Sequence, residues 1–147
     1  MRARCALLFA VLLVTRAAGA DEARLSTAVV EPALAIQVAL AHDTTDGVAA
    51  LAAALAEAAA SLGPSASQVR DAARQLAATL EIAEARHAFG EMNKALAAYM
   101  RAGKLSPPEG VRAAYCPMAR GKWLQKDGAL ENPYYGRKMA ACGGFTD

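Results

Sequence analysis

Residues 67–99 read SQVRDAARQLAATLEIAEARHAFGEMNKALAAY. Proline is absent from this stretch and Gly90 is its only glycine, so nothing in it forbids helix from end to end. The apolar phase nevertheless changes along it. Val69, Ala73, Leu76 and Leu80 set one register, whereas Ile82, Ala85, Phe89, Met92, Leu96 and Tyr99 set another, displaced by a residue or two. A single straight helix cannot turn both stripes toward one core, so a break or kink is expected between Thr79 and Ile82.

Upstream, Val29, Ala33, Ile36 and Leu40 make a third stripe, and Val48, Leu51, Leu55 and Leu62 a fourth. His42-Asp43-Thr44-Thr45-Asp46-Gly47 between them offers N-cap candidates and a first-turn acid, and Gly63-Pro64-Ser65 breaks the chain again. Downstream, Gly103 is placed as a helix stop, and Pro107-Pro108 prevents continuation. Helices joined by such short connections predict an all-α protein, a four-helix up-and-down bundle from about Leu25 to Gly103 with alanines allowing close backbone approach. The domain reading is a bundle over 21–106 and an irregular C-terminal Cys/Met/aromatic tail over 107–147 packed on it.

The first twenty residues read as a secretory signal peptide: Arg2 and Arg4, an apolar run from Cys5 to Val14, then Ala18-Gly19-Ala20 as a cleavage site. That run is too short to span a bilayer, and no later stretch supplies the ~20 apolar residues a span needs. Cys5 has no small-residue lipobox before it. An exported chain, periplasmic or secreted, starting near Asp21 is expected. Without Arg2, Arg4 and Arg16 the basic residues number 13 against 14 acids, with no Lys/Arg cluster, which argues against nucleic acid or an anionic membrane as partner.

The tail differs in kind from the bundle. It carries five of the seven aromatic residues outside the signal, namely Tyr115, Trp123, Tyr134, Tyr135 and Phe145, and both remaining cysteines. Its sulfurs come as two pairs, Cys116-Pro117-Met118 and Met139-Ala140-Ala141-Cys142. Cys-x-Met puts both sulfurs on one side of an extended segment, and Met-x-x-Cys puts both on one face of a helical turn. Converging thiolates and thioethers are soft ligands that select Cu(I), whereas zinc would more usually recruit His or further Cys, so a copper ion is the first candidate. The other reading is a Cys116–Cys142 disulfide, the usual fate of two cysteines in an exported protein, contributing ~3.5 kcal/mol on the chain-entropy model.

Tyr115-Cys116-Pro117-Met118-Ala119, Trp123-Leu124, Asn132-Pro133-Tyr134-Tyr135-Gly136, Met139 and Cys142-Gly143 resemble the signature of an exported bacterial domain-of-unknown-function family, DUF3347. That family also occurs fused to periplasmic adaptors of heavy-metal efflux pumps. Arg86 and Phe89 match its Arg-x-x-Phe on the last bundle helix. The resemblance is weak through the alanine-rich half and strong from Tyr115 to Gly143. It implies a helical bundle capped by the Cys/Met segment and an association with copper efflux, with a periplasmic efflux adaptor or another copper protein as partner. Carried over by position, Cys116, Met118, Met139 and Cys142 become the metal-ligand candidates, supported by Trp123, Arg86, Phe89 and Tyr135. The linker Ala119-Arg120-Gly121-Lys122 is shorter than the family's pattern, so the approach of Trp123 to the sulfurs departs from it.

Trp123 has two readings, a π-face over a bound cation and an anchor docking the tail. Asn132 to Gly136 reads as a turn with an Asx-type bond and a positive-φ glycine, folding the second sulfur pair toward the first. His87, beside Arg86, reads as solvated, and His42 as paired with a helix C-terminus. The acids form no paired arrangement, and Ser26, Ser61 and Ser106 lie in no nucleophile context, so the chain does not read as an enzyme.

Overall fold

The structure, a computed structural model, describes residues 23–146, so the signal peptide read from residues 1–20 lies outside the described residues. Four helices form where the periodicity places them: α1 (Thr27–Ala41), α2 (Val48–Ser61), α3 (Ser67–Ala77) and α4 (Ile82–Gly103). The stripe of α1 is buried throughout, and Val69, Ala73 and Leu76 of α3 are buried beside Ala85, Phe89, Met92 and Leu96 of α4. The register change between these last two helices coincides with a real break over residues 78–81. Leu80 falls in that break and is 83% exposed, so the first of the two registers ends at Leu76. Among the described residues no helix is long and apolar enough to cross a membrane.

Two local expectations change. The segment His42 to Gly47 supplies no side-chain cap and no first-turn acid to α2, whose N-cap is Gly47, and Asp43 within it takes a positive φ of 62°. Gly103 remains helical, and the left-handed position falls on Lys104 at φ 50°. Leu105 N donates to Met100 O at 2.8 Å and Lys104 N to Arg101 O at 3.2 Å, the paired bonds of a Schellman ending.

The all-α expectation is overturned by the tail, which is not irregular. Strands β1 (Val111–Cys116), β2 (Gly121–Lys126) and β3 (Gly144–Thr146) form an antiparallel sheet in the order β2-β1-β3, making the protein mixed α and β. Cys116 pairs with Gly121 at the closing end of the β1–β2 hairpin, and Ala114 lies between Trp123 and Phe145. The strands were hard to read because VRAAYC and GKWLQK hold a single β-branched residue between them, and their pairing is supplied by partners far apart in sequence.

The sheet also alters the bundle. Consecutive helices pack on one another, but α1 and α4 scarcely touch, because β2 lies against both. The expected closed four-helix arrangement is therefore an open one whose last seam is filled by a strand. At the other end Leu25 N donates to Ser106 O at 2.9 Å and Ser106 N to Ala23 O at 2.9 Å, tying the chain before α1 to the chain after α4.

Candidate functional site

The tail is held to the helices by three anchors, two polar and one aromatic. Arg86 of α4 donates from Nε to Pro133 O at 2.9 Å and from Nη2 to Leu40 O at 2.8 Å, and it pairs with Asp43 Oδ1 at 2.7 Å. Asp43 also receives Arg137 Nε at 3.0 Å. The Arg86 hydrogen bond first, and the Arg137 bond second, hold its carboxyl down at about 2. Gly136 passes so close to this cluster that an added Cβ would lie 1.9 Å from Asp43 Oδ1. The second anchor is Gln37 of α1, whose Nε2 donates to Glu131 O at 2.7 Å.

The third anchor is aromatic. The Tyr134 ring lies 6.1 Å from Phe89 and edge-on to Trp123 at 5.8 Å, a T-shaped pairing favoured by ring quadrupoles. Its hydroxyl donates to Lys122 O. A Cβ at Gly121 would sit 2.5 Å from the Tyr134 ring, and one at Gly90 would touch it at 3.5 Å, so these glycines bracket the phenol. Trp123 and Phe89 are each 1% exposed. The indole gives its N–H to Gln125 Oε1 at 3.0 Å.

Two buried amides then shape the long connection after β2. Gln125 accepts from Trp123 Nε1 and Glu131 N and donates to Lys126 O and Ala129 O. Asn132 accepts from Tyr134 N at 2.8 Å and Tyr135 N at 3.2 Å, the expected Asx turn, and donates to Cys142 O at 2.8 Å. A short 3-10 turn, Gly136–Met139, follows, and Cys142 N donates to Met139 O at 3.0 Å.

This path delivers Cys142 to Cys116 at the end of β1. The sulfurs are 3.2 Å apart, and both thiols are free. Cys116 is fully buried, while Cys142 is half-buried and accessible. Burial opposes charge on Cys116, but the Ala119 N–H, the Cys142 thiol, the Asn132 amide and the Met118 N–H together bring its thiol below the ordinary value. Cys142 moves the other way, because its proton is held in the bond to Cys116, with burial and the neighbouring charge adding to the effect. The pair is thus chemically unequal, the buried Cys116 giving up its proton more readily than the more accessible Cys142.

Of the four sulfur candidates the two thiols meet. Met118 sits at the hairpin corner immediately after Cys116 and is 61% exposed, and Met139 ends the 3-10 turn that leads to Cys142. Arg86, Phe89 and Trp123 meet the turn at Pro133 and Tyr134 rather than the sulfurs, and Tyr135 is half-buried with its backbone N–H on Asn132 Oδ1. His87 is exposed on α4, and exposed His42 lies 3.7 Å from Glu131 Oε1. Among the described residues no three His, Cys, Asp or Glu side chains gather into a metal-holding group. Gln37 and Gln125 were not singled out by sequence, and Asp43 and Tyr134 were read only as parts of a cap segment and a turn. An Asn-Pro-Tyr-Tyr-Gly turn marks Tyr134 as near the site, but nothing in the pattern shows which tyrosine turns inward. No family model, curated protein or solved structure was found to match the chain.

Proposed function

We propose that this is an exported protein that binds a soft metal ion, copper(I) foremost, at Cys116 and Cys142 with Met118 and Met139 as thioether donors, for sequestration or for delivery to a periplasmic efflux adaptor. The observation that carries this reading is the pair of free thiols at 3.2 Å, one of them surrounded by N–H donors that favour its thiolate. The donor set fits a soft ion, since it offers sulfur and, among the described residues, gathers no third His, Cys, Asp or Glu of the kind zinc ordinarily recruits. With bonds near the ~2.3 Å of a zinc thiolate and tetrahedral to trigonal angles, an ion would spread the two sulfurs from 3.2 Å by about 0.6–0.8 Å, a movement open to the half-buried Cys142. The likeness of residues 115–143 to the efflux-associated family is a further support, and it rests on those motif residues alone.

The exposure gradient suggests how cargo would pass to a partner. Met118 and Cys142 are reachable from solvent, whereas Cys116 is buried. A partner's sulfurs would therefore exchange first with Met118 and Cys142, and Cys116 would release last. Such ligand exchange needs no change of oxidation state.

The same contact favours a second reading, a disulfide-stapled interaction module with no metal role, because oxidation needs the sulfurs only to close to the ~2.05 Å of a disulfide. Intact mass of the protein isolated from the periplasm separates the two when followed by Cu(I) titration under reductant against a competing chelator. Metal binding predicts free thiols and tight one-to-one uptake that is lost in Cys116→Ser and weakened in Met118→Leu or Met139→Leu. A two-dalton deficit with no tight uptake after reduction would leave the staple as the role of the pair.

A further inference from the structure

Away from the sulfurs, the last turns of α4 meet β1 and β2 along an open groove of about 270 Å³. Half-buried Met100 and Leu105 form its apolar wall above a floor of buried Leu96, Trp123, Leu124 and Asn93, with Ala97 and Ala113 leaving the space. The Schellman ending of α4 builds part of this wall, since the 2.8 Å bond from Leu105 N to Met100 O sets those two side chains at one end of it. Arg101, Lys104 and Lys122 stand at its edge, and no acidic side chain lines it. Among the described residues none of these three cations forms an ion pair.

We propose that this groove binds a single-chain amphiphile with an anionic head, a medium-chain fatty carboxylate, whose tail lies along Met100 and Leu105 above the Trp123 floor and whose carboxylate meets Arg101, Lys104 and Lys122. A wholly apolar ligand would leave the three cations unused, and a small anion would leave the apolar wall unused. The long stems of Lys104, Lys122 and Arg101 suit such a ligand, because they extend apolar contact while keeping the charge at the mouth. The size lies near the lower end of the ~300–1,000 Å³ range of small-ligand sites, which favours one chain over two. The inference is independent of the metal reading, as the groove shares no residue with the sulfur pair.

Trp123 is the only tryptophan in the chain and lines the groove, so its emission reports occupancy directly. The test is titration of the full mature protein with octanoate, decanoate and dodecanoate below their micellar concentrations, beside dodecanol and dodecyltrimethylammonium. Saturable change of Trp123 emission is expected for dodecanoate, with affinity falling about fourfold for each methylene removed. Dodecanol should bind at least ~10-fold more weakly and the cationic amphiphile more weakly still. Arg101→Glu combined with Lys122→Glu, both exposed positions, should lose at least ~10-fold for dodecanoate while the dodecanol affinity holds, which also shows that the variant is folded. No saturable response by about 1 mM dodecanoate overturns the proposal, as does equal binding of the cationic amphiphile, affinity independent of chain length, or an unaffected charge-reversed variant.

Discussion

Asp43 shows how one residue can join three parts of the chain. It follows the end of α1, receives the α4 guanidinium of Arg86, and reaches Arg137 in the tail. Its carboxyl is held at about 2 rather than the ordinary 3.8, so its contribution to stability is complete above about pH 4 and is lost as pH falls toward 2, where the folded form also takes up the proton. A carboxyl-carbon NMR titration should place its midpoint near 2. A midpoint near 3.8 would mean that the two arginines do not hold it. Gly136 belongs to the same cluster. Gly136→Ala must place a methyl group on Asp43 and Arg86 and also hold a positive φ of 59°, so it should cost at least ~2 kcal/mol in urea unfolding. An unchanged urea midpoint would remove this close approach from the account of the fold.

At the scale of elements, the connection between β2 and β3 is long and mostly without regular structure, yet two side chains satisfy several of its backbone groups. Gln125 serves residues 126–131 and Asn132 serves residues 134–142. Each stands in for a ladder that the segment lacks, which is why burying two amides is tolerable here. Gln125→Leu keeps much of the volume but strands the Trp123 N–H and the Glu131 N–H, so destabilisation of about 2–4 kcal/mol is expected in urea melts. A loss below ~0.5 kcal/mol would indicate that water replaces the amide readily.

Across the whole molecule, β2 occupies the seam that would otherwise close α1 on α4, so the sheet and the helices share one core. Phe89 lies at that junction, buried in α4 and next to Tyr134 of the tail. Phe89→Ala should therefore cost about 3–5 kcal/mol. Because the core is shared, the helical circular-dichroism signal and Trp123 emission should lose structure at the same urea concentration in both the wild type and the variant. An earlier Trp123 transition would show that the sheet unfolds by itself.

Much of the helical half was legible because helix is a local structure. Spacing of Val29 to Leu40 and the phase change around Thr79 are written within a few turns, and the break between α3 and α4 lies where that phase change put it. Caps were less legible, since Asp43 and Gly103 carry end signals that a better tertiary partner, or one more turn of helix, overrode. The sheet was not legible at all. Its central strand is alanine-rich, and it becomes a strand only because β2, and then β3 from thirty residues away, supply hydrogen-bond partners. The sulfur chemistry divides in the same way. Residue types and spacing determined that soft ligands lie in the tail, whereas the meeting of Cys116 with Cys142, and the exposure of Met118, depended on the hairpin, the Asn132 turn and the Arg86 anchor. Periodicity records a residue's relation to its neighbours along the chain; which distant residues share a surface is decided by packing, which no local pattern contains.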